Sequence, residues 1–506
     1  MVFRVTNQAQ QQTSLNNVFR LSEDIFNTTN ALSSGKRIAR PSDDPSGTRA
    51  TLSLRTSLRR TEQFIRNMNG IKDFAGRADS ALNEVNNVLI RAKELAVNQL
   101  GGLATAETRG FAASEIENLI SEVLQAGNAK VSNRFAFGGS KSTVAPFQRS
   151  ASGAVYLGNS ESITVEIARN LNLKINIPGS DVLATDLNPG ISTSTLLADL
   201  NRGAGVAAGS FTIADQAGNT GTVSISSSMT VGDAIAAINA AGTNITAAVN
   251  SAQNGIKLTD SSSLVVQALT VSEAGGGATA TNLGILGQRN GNLEGLDLDP
   301  RLNASTQISQ LNGGQGLTLS SINIVNGAAS GTVSLASANT VGDVLSLINN
   351  AGLNVTAGIS NEGNVLRVVS NSSTSTAIVR EVGTGSTAEA LGLGGGRNIL
   401  TSLIQLKEAL QKSDSSALSA ALDNLDTGLE SLGQARASFG AITRRVDNNN
   451  ANLDREMVDQ TEQLSNIEDI DFAQKASELA SLQVAFQATL NSTARILQPS
   501  ILDFLA

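Results

Sequence analysis

Between Leu418 and Ile467 the chain holds one apolar seam for about seven heptads. Leu418, Leu422, Leu425, Leu429 and Leu432 lead into Phe439, Val446, Leu453, Met457, Leu464 and Ile467. A helical period kept up for that distance excludes a strand. It is also too long for an ordinary globular helix, so another long helix must cover it.

The opposite end of the chain has the same period. Leu15, Val18, Ser22, Ile25, Thr29 and Leu32 alternate steps of three and four, and Gly35 stops the pattern as a helix-terminating residue does. A second run is Ala78, Leu82, Val85, Leu89, Ala92, Ala96 and Gln99, broken at Gly101-Gly102. A third covers Ile116, Leu119, Ile120 and Val123. A last helix is predicted from near Asp471 to near Gln498, with Leu479, Leu482, Phe486, Leu490 and Leu497 on one face and Pro499 marking its end. Residues 1–149 carry net charge +6 and residues 399–506 carry −7. Complementary seams and charges predict that the two ends pair as one bundle and that the middle is looped out.

The middle has a different composition. Residues 150–398 hold 34 of the 47 glycines and a net charge of −7, which predicts a β-rich, turn-rich insert. It contains an internal repeat at an offset of 110 residues: Gly221-Thr-Val-Ser-Ile225 matches Gly331-Thr-Val-Ser-Leu335, and Thr230-Val-Gly-Asp233 matches Thr340-Val-Gly-Asp343. Each copy reads as strand, strand, short helix, strand, strand. Thr230 and Thr340 are placed as N-caps, Asp233 and Asp343 at N3, and Gly242 and Gly352 at C′. Ahead of the repeats, alternation from Val155 to Ile177 predicts a hairpin or meander closed by Pro178-Gly179.

The fold class is therefore α+β: a terminal α-helical coiled-coil bundle formed by both ends, with an inserted β-rich outer region containing a duplicated ββαββ-like unit. The expected divisions are 1–45 with 468–506, 46–149 with 399–467, a base at 150–195, and repeats at 196–295 and 303–398.

Composition narrows the chemistry. The 506 residues include no Cys, His or Trp and carry net charge −8. Thiolate and imidazole metal sites, a Ser-His-Asp triad and the usual neutral-pH acid/base are excluded. An acidic chain argues against duplex nucleic acid, and no apolar run is long enough to span a membrane. Met1 to Asn30 lacks the apolar core of a Sec signal. Glu294, Asp297 and Asp299 could supply oxygen ligands to Ca²⁺, but a solvated acidic turn is the commoner meaning of such a cluster. Glu468, Asp469 and Asp471 read as helix-capping acids. Gly275–Gly277 and Gly394–Gly396 read as flexible linkers, and Arg59-Arg60 and Arg444-Arg445 as surface charges. No catalytic, cofactor or metal site is assigned.

One segment is more specific. Leu32-Ser-Ser-Gly-Lys-Arg-Ile-Ala-Arg-Pro-Ser-Asp-Asp-Pro-Ser46 is a helix stop followed by a turn fixed by Pro41 and Pro45, with Arg37 and Arg40 set beside Asp43 and Asp44. With Gly35, this resembles the signature shared by bacterial flagellins and hook–filament junction proteins. Asn133-Arg-Phe135-Ala-Phe137-Gly138-Gly139, followed by Pro146-Phe147, is similar to the motif of the junction type, hook-associated protein 3, as are Val155-Tyr-Leu-Gly158 and Ser500-Ile-Leu-Asp-Phe-Leu505. The likeness covers roughly 1–180 and 400–506, while the repeats resemble insert units of some flagellins and other hook-associated proteins.

The resemblance implies a structural adaptor between hook and filament, not an enzyme. It would be exported by the flagellar type III route without a Sec signal and be extracellular on the flagellum. Implied partners are copies of itself in a helical or ring layer, the neighbouring hook-associated junction protein, flagellin and an export chaperone. Terminal assembly helices would use Leu15, Val18, Ile25 and Leu32, and Phe486, Leu490, Leu497, Ile501, Leu502 and Phe504. Two other readings stand beside it: a flagellin forming the filament itself, and a surface- or glycan-binding protein acting through 181–398.

Overall fold

The structure, a computed structural model, describes residues 2–150, 153–361 and 363–497. Three helices open the chain: α1 (Val2–Ser34), α2 (Pro45–Leu100) and α3 (Ala106–Gly127). Six short strands follow: β1 (Lys130–Val131), β2 (Arg134–Phe135), β3 (Phe147–Ser150), β4 (Gly153–Tyr156), β5 (Thr164–Ala168) and β6 (Leu171–Lys174). They form three two-stranded pairs: of the expected hairpin or meander over 155–177, the hairpin is present as β5–β6, while β4 pairs instead with β3 from outside that span.

The first repeat comprises β7 (Gly209–Ala214), β8 (Thr220–Ile225), α4 (Val231–Asn239), β9 (Ile245–Val249), β10 (Ile256–Asp260), β11 (Leu269–Glu273), α5 (Thr279–Asn282), β12 (Gly287–Arg289) and β13 (Leu293–Glu294). The second comprises β14 (Ser321–Asn326), β15 (Ala329–Ser334), α6 (Val341–Asn349), β16 (Val355–Ile359), β17 (Leu366–Ser370), β18 (Ala377–Glu381) and α7 (Thr387–Ala390). The chain then returns through α8 (Ile399–Gln411), α9 (Ser415–Glu468) and α10 (Phe472–Leu497).

The long seam is a single 54-residue helix. Its seven-residue series Leu418, Leu425, Leu432, Phe439, Val446 and Leu453 is buried. α2 is equally long, 56 residues, because the period continues upstream of Ala78 through Thr51, Thr61, Phe64, Met68 and Ile71, all buried.

The chain divides into two compact units, with the boundary inside α2 and α9. Unit 1 is 1–70, 166–172 and 445–506; unit 2 is 71–165 and 173–444. In unit 2, α2 and α9 run antiparallel, joined by Arg436 Nε to Asp79 Oδ1 at 2.9 Å and by the Lys93–Asp426 pair. α3 packs on α8, with Lys407 Nζ 3.2 Å from Glu117 Oε2. The ends of the chain thus come together within each unit. The Lys93–Asp426 pair has the sense the charge asymmetry predicts, whereas Arg436–Asp79 and Lys407–Glu117 place the cation on the C-terminal part and the acid on the N-terminal part.

Both repeats show the same local logic. Thr230 and Thr340 accept from the N–H of Asp233 and Asp343, and each Asp carboxylate accepts from the N–H of its threonine, a reciprocal cap on α4 and α6. The C-cap residues are Ala240 and Asn350, so Gly242 and Gly352 (φ +77° and +71°) stand one residue beyond the expected C′ position. Two elements common to both copies lie outside the expected pattern, a further strand, β11 or β18, which pairs with β7 or β14, and a four-residue helix; the first copy has two more strands, β12 and β13. Each repeat has its own apolar core, centred on Phe211, Val223 and Ile238 in the first and on Ile322, Val341 and Ile348 in the second.

Gly394–Gly396 is not a linker. All three residues are buried, and a Cβ on Gly396 would stand 2.2 Å from Glu389 Oε2. The Gly396 N–H donates to Thr427 Oγ1 at 3.0 Å, pinning the turn to α9.

Candidate assembly interface

In unit 1 the turn after α1 is built as a clamp on the other end of the chain. Gly35, at φ +70°, closes the helix by donating to Ala31 O and accepts from Ile470 N–H at 3.1 Å. Arg37 N–H donates to Glu468 O at 2.6 Å, and its guanidinium reaches both Ile467 O (2.8 Å) and Asp44 Oδ2 (3.2 Å). Asp43 accepts from the N–H of Arg40 at 2.7 Å and of Ala39 at 3.2 Å, so Arg40 enters the turn through its backbone. Asp44 accepts from Gly47 N–H and Ser46 Oγ, capping α2, and Pro45 takes the first helical position, where its missing N–H costs nothing. The Gly47 N–H, then Ser46 and Arg37, hold the Asp44 carboxyl down at about 2. Pro41 lies exposed in the same turn.

Glu468 is corrected from a capping acid of the last helix to the final residue of α9. Its nearly buried carboxylate takes Lys36 Nζ and, at 2.5 Å, Arg55 Nη2. Burial works to raise its pKa, but Lys36 and Arg55 overcome it and lower the value. A carboxylate at a helix C-terminus opposes the macrodipole, so these two cations are what make the position tolerable. Asp471 does cap α10, accepting from Gln474 N–H at 3.0 Å.

α1 packs against α10. The inward row of α1 is Val18, Leu21, Ile25, Thr28 and Leu32, and that of α10 is Leu479, Leu482, Phe486, Thr489 and Thr493. The expected stripe on α1 crossed two faces: Ser22 and Thr29 are exposed, and Leu15 is 40% exposed. Leu490 is exposed likewise. Sequence periodicity overlooked Phe19 and Phe26, 69% and 60% exposed, which share the outer stripe of α1 with Leu15. Phe472 and Val484 stand out on α10. The side chain of Leu497, and Ile501, Leu502 and Phe504, lie outside the described residues.

The 133–139 motif is a packed knot in unit 2. Asn133 sits exposed in the β1–β2 turn, while Phe135 and Phe137 are buried. Phe137 O accepts from both Tyr156 Oη (2.8 Å) and Gly179 N–H (2.8 Å). Gly139, at φ +64°, has no room for a side chain: a Cβ would lie 2.1 Å from Asn159 O. Gly138 is similarly closed, by Lys141 O at 2.8 Å.

The carboxylates at 294–299 separate. Glu294 pairs with Lys257 across β10–β13, whereas Asp299 pairs with Lys141 and lies 3.8 Å from Arg202. Among the described residues no group of three or more acidic side chains is placed to hold a metal ion. Asp297 is not the solvated acid expected: burial, then the Asp299 charge, push its carboxyl up to about 6. Burial does the same to Asp186, also to about 6, against the pull of Arg202.

Both carboxyls hold their proton more tightly folded than unfolded, where the value is near 3.8. Their contribution to stability is therefore smallest at pH 7 and grows as pH falls through about 6 toward about 4. Asp186→Asn is expected to raise the melting temperature at pH 7 and to reduce the gain in stability expected between pH 7 and 5. Melts followed by tyrosine fluorescence at both pH values check this, and an unchanged pH slope would refute it.

Comparison with known proteins adds the following. A family model described as the bacterial flagellin N-terminal helical region matches residues 5–142, and one described as the C-terminal helical region matches 422–505. The flagellar filament 41 kDa core protein of Borreliella burgdorferi is 37% identical over 100 residues, covering 20% of this chain and 30% of that protein. Flagellar hook-associated protein 3 of Escherichia coli is 24% identical over 180 residues, covering 35% of this chain and 56% of that protein. The chain thus spans little more than half the length of the one relative and under a third of the other. A crystal structure of Xanthomonas campestris FlgL aligns over 81% of this chain and 99% of that one at 16% identity, with a TM-score of 0.38.

Proposed function

We propose that this chain, which belongs to the flagellin superfamily, is a structural adaptor joining the flagellar hook to the filament. The observation that carries the reading is the pairing of α1 with α10, which leaves Leu15, Phe19, Phe26, Phe472 and Val484 exposed on the same unit. A pair of helices that covers one seam and shows another is suited to contact with neighbouring subunits. Heterologous contacts of that kind extend into rings and helical tubes. The role is mechanical, not catalytic. The partners would be further copies of the chain, the adjacent hook-associated protein, flagellin and an export chaperone, outside the cell on the flagellum.

The junction reading is favoured over a filament subunit by the 133–139 segment, which resembles the junction-type motif and is locked into the fold by Tyr156 and Gly179. A clean deletion, viewed by electron microscopy, is expected to leave bare hooks with filament protein loose in the medium. Intact filaments would overturn the proposal. Bare hooks without filament protein in the medium would favour the flagellin reading.

A further inference from the structure

The two repeats differ at one sheet edge. In the first, β10 is flanked on its outer side by β13: Lys257 stands opposite Glu294, Leu258 opposite Leu293, and Ile256 O accepts from Gly295 N–H at 2.9 Å. The Lys257 ammonium lies 2.6 Å from the Glu294 carboxylate. The matching strand of the second repeat is β17, paired with β16 in the same register that β10 keeps with β9. Its outer neighbour is missing, because the chain that would form it has turned into α8.

The edge left behind keeps the features of a strand site. Alternation of backbone groups makes Leu366 and Val368 the equivalents of Ile256 and Leu258, so their N–H and C=O point to the uncovered side. Among the described residues nothing bonds to them there. The other sheet of the repeat also lacks its outer strand, but that edge is closed by α9: Asn424 Nδ2 donates to Val379 O at 3.0 Å. Beside β17 there is instead a cleft, with Ile404, Gln405 and Glu408 of α8 along its far wall. Gln405 Oε1 is buried in it with no hydrogen-bond partner. Arg367 occupies the position of Lys257, exposed and with no ion pair among the described residues.

We propose that this cleft receives an extended segment of a partner protein, added antiparallel to β17, with an apolar residue opposite Val368 and an acidic residue opposite Arg367. Main-chain bonds to the strand edge would supply affinity, and the acidic residue would set the register. The first repeat contains the pairing in miniature, with Leu293-Glu294 as the added strand.

The probe is a fluorescein-labelled peptide Gly-Asn-Leu-Glu-Gly-Leu-Asp, the sequence of residues 291–297, titrated with the whole chain and read by anisotropy. Saturable binding is expected, weakened about fivefold by Arg367→Glu, and recovered in that variant by a peptide carrying Lys in place of Glu. Arg367 is exposed, so the variant's melting temperature should match the parent and separate lost binding from lost folding. No saturation at millimolar peptide, or equal binding by the variant, would overturn the proposal. A dimer of the chain that Arg367→Glu dissociates would assign the edge to a second copy and overturn it also.

Discussion

Phe137→Ala is expected to lower the stability of unit 2 by about 3–5 kcal/mol, the cost of deleting a fully buried aromatic side chain and leaving a cavity. Phe137 has no exposed surface, and the segment around it cannot relax into the gap. Its carbonyl is fixed by Tyr156 Oη and Gly179 N–H, and Gly138 and Gly139 are hemmed in by Lys141 O and Asn159 O. The ring of Tyr156 is held in turn against Phe147, with centroids 5.2 Å apart. The chain has one tyrosine and no tryptophan, so tyrosine fluorescence reports on this knot alone. The denaturant midpoint read that way should fall sharply in the variant. A loss under about 1 kcal/mol would mean that the site collapses freely and that the motif is not a rigid element.

The second large effect concerns unit 1. A chain stopped after Ile470 is expected to lose the helical signal of α1 as well as that of α10. α10 contributes 26 residues, and α1 a further 33. α1 is rich in Asn, Thr and Ser, which favour other conformations locally, and an isolated helix of such composition is marginal in water. Its order comes from the row Val18, Leu21, Ile25, Thr28 and Leu32 lying against α10. Far-UV circular dichroism measures the loss directly. A decrease matching α10 alone would show that α1 stands by itself, and the pairing would then explain neither its order nor assembly. The truncated chain should also fail to attach to hooks.

Much of this architecture was legible in the sequence where one residue type has one physical meaning. Gly35 ends α1 because a left-handed backbone is needed there, and Thr230 and Thr340 mark their helices because a hydroxyl three residues before an aspartate makes a reciprocal cap. The readings that failed depend on partners far along the chain. Glu468 looks like a capping acid until Lys36 and Arg55 are brought to it. Gly394–Gly396 looks like a linker until α9 covers it. The upstream half of α2 was hidden because threonines occupy seam positions. Thr51 and Thr61 are buried, and the hydroxyl of Thr51 is satisfied by the carbonyl of Thr48, so a polar letter stands where an apolar one was sought. On α1 the apolar residues lie on two adjacent faces, and periodicity alone joined Leu15 to the inner row while passing over Phe19 and Phe26.

The joining of the two ends has a consequence for the order in which the molecule is made. Lys36 and Glu468 are 432 residues apart in sequence, Arg436 and Asp79 are 357 apart, and Lys407 and Glu117 are 290 apart. The repeats close over far shorter spans, 60 residues from Thr212 to Ser272 and three from Thr230 to Asp233. Contacts between distant residues wait on the closure of very large loops, and that delay dominates folding rate. Whichever end leaves a ribosome or a channel first therefore has nothing to fold against until the rest has followed, while the repeats finish early. The paired helices at the two ends are the last part of this protein to acquire structure.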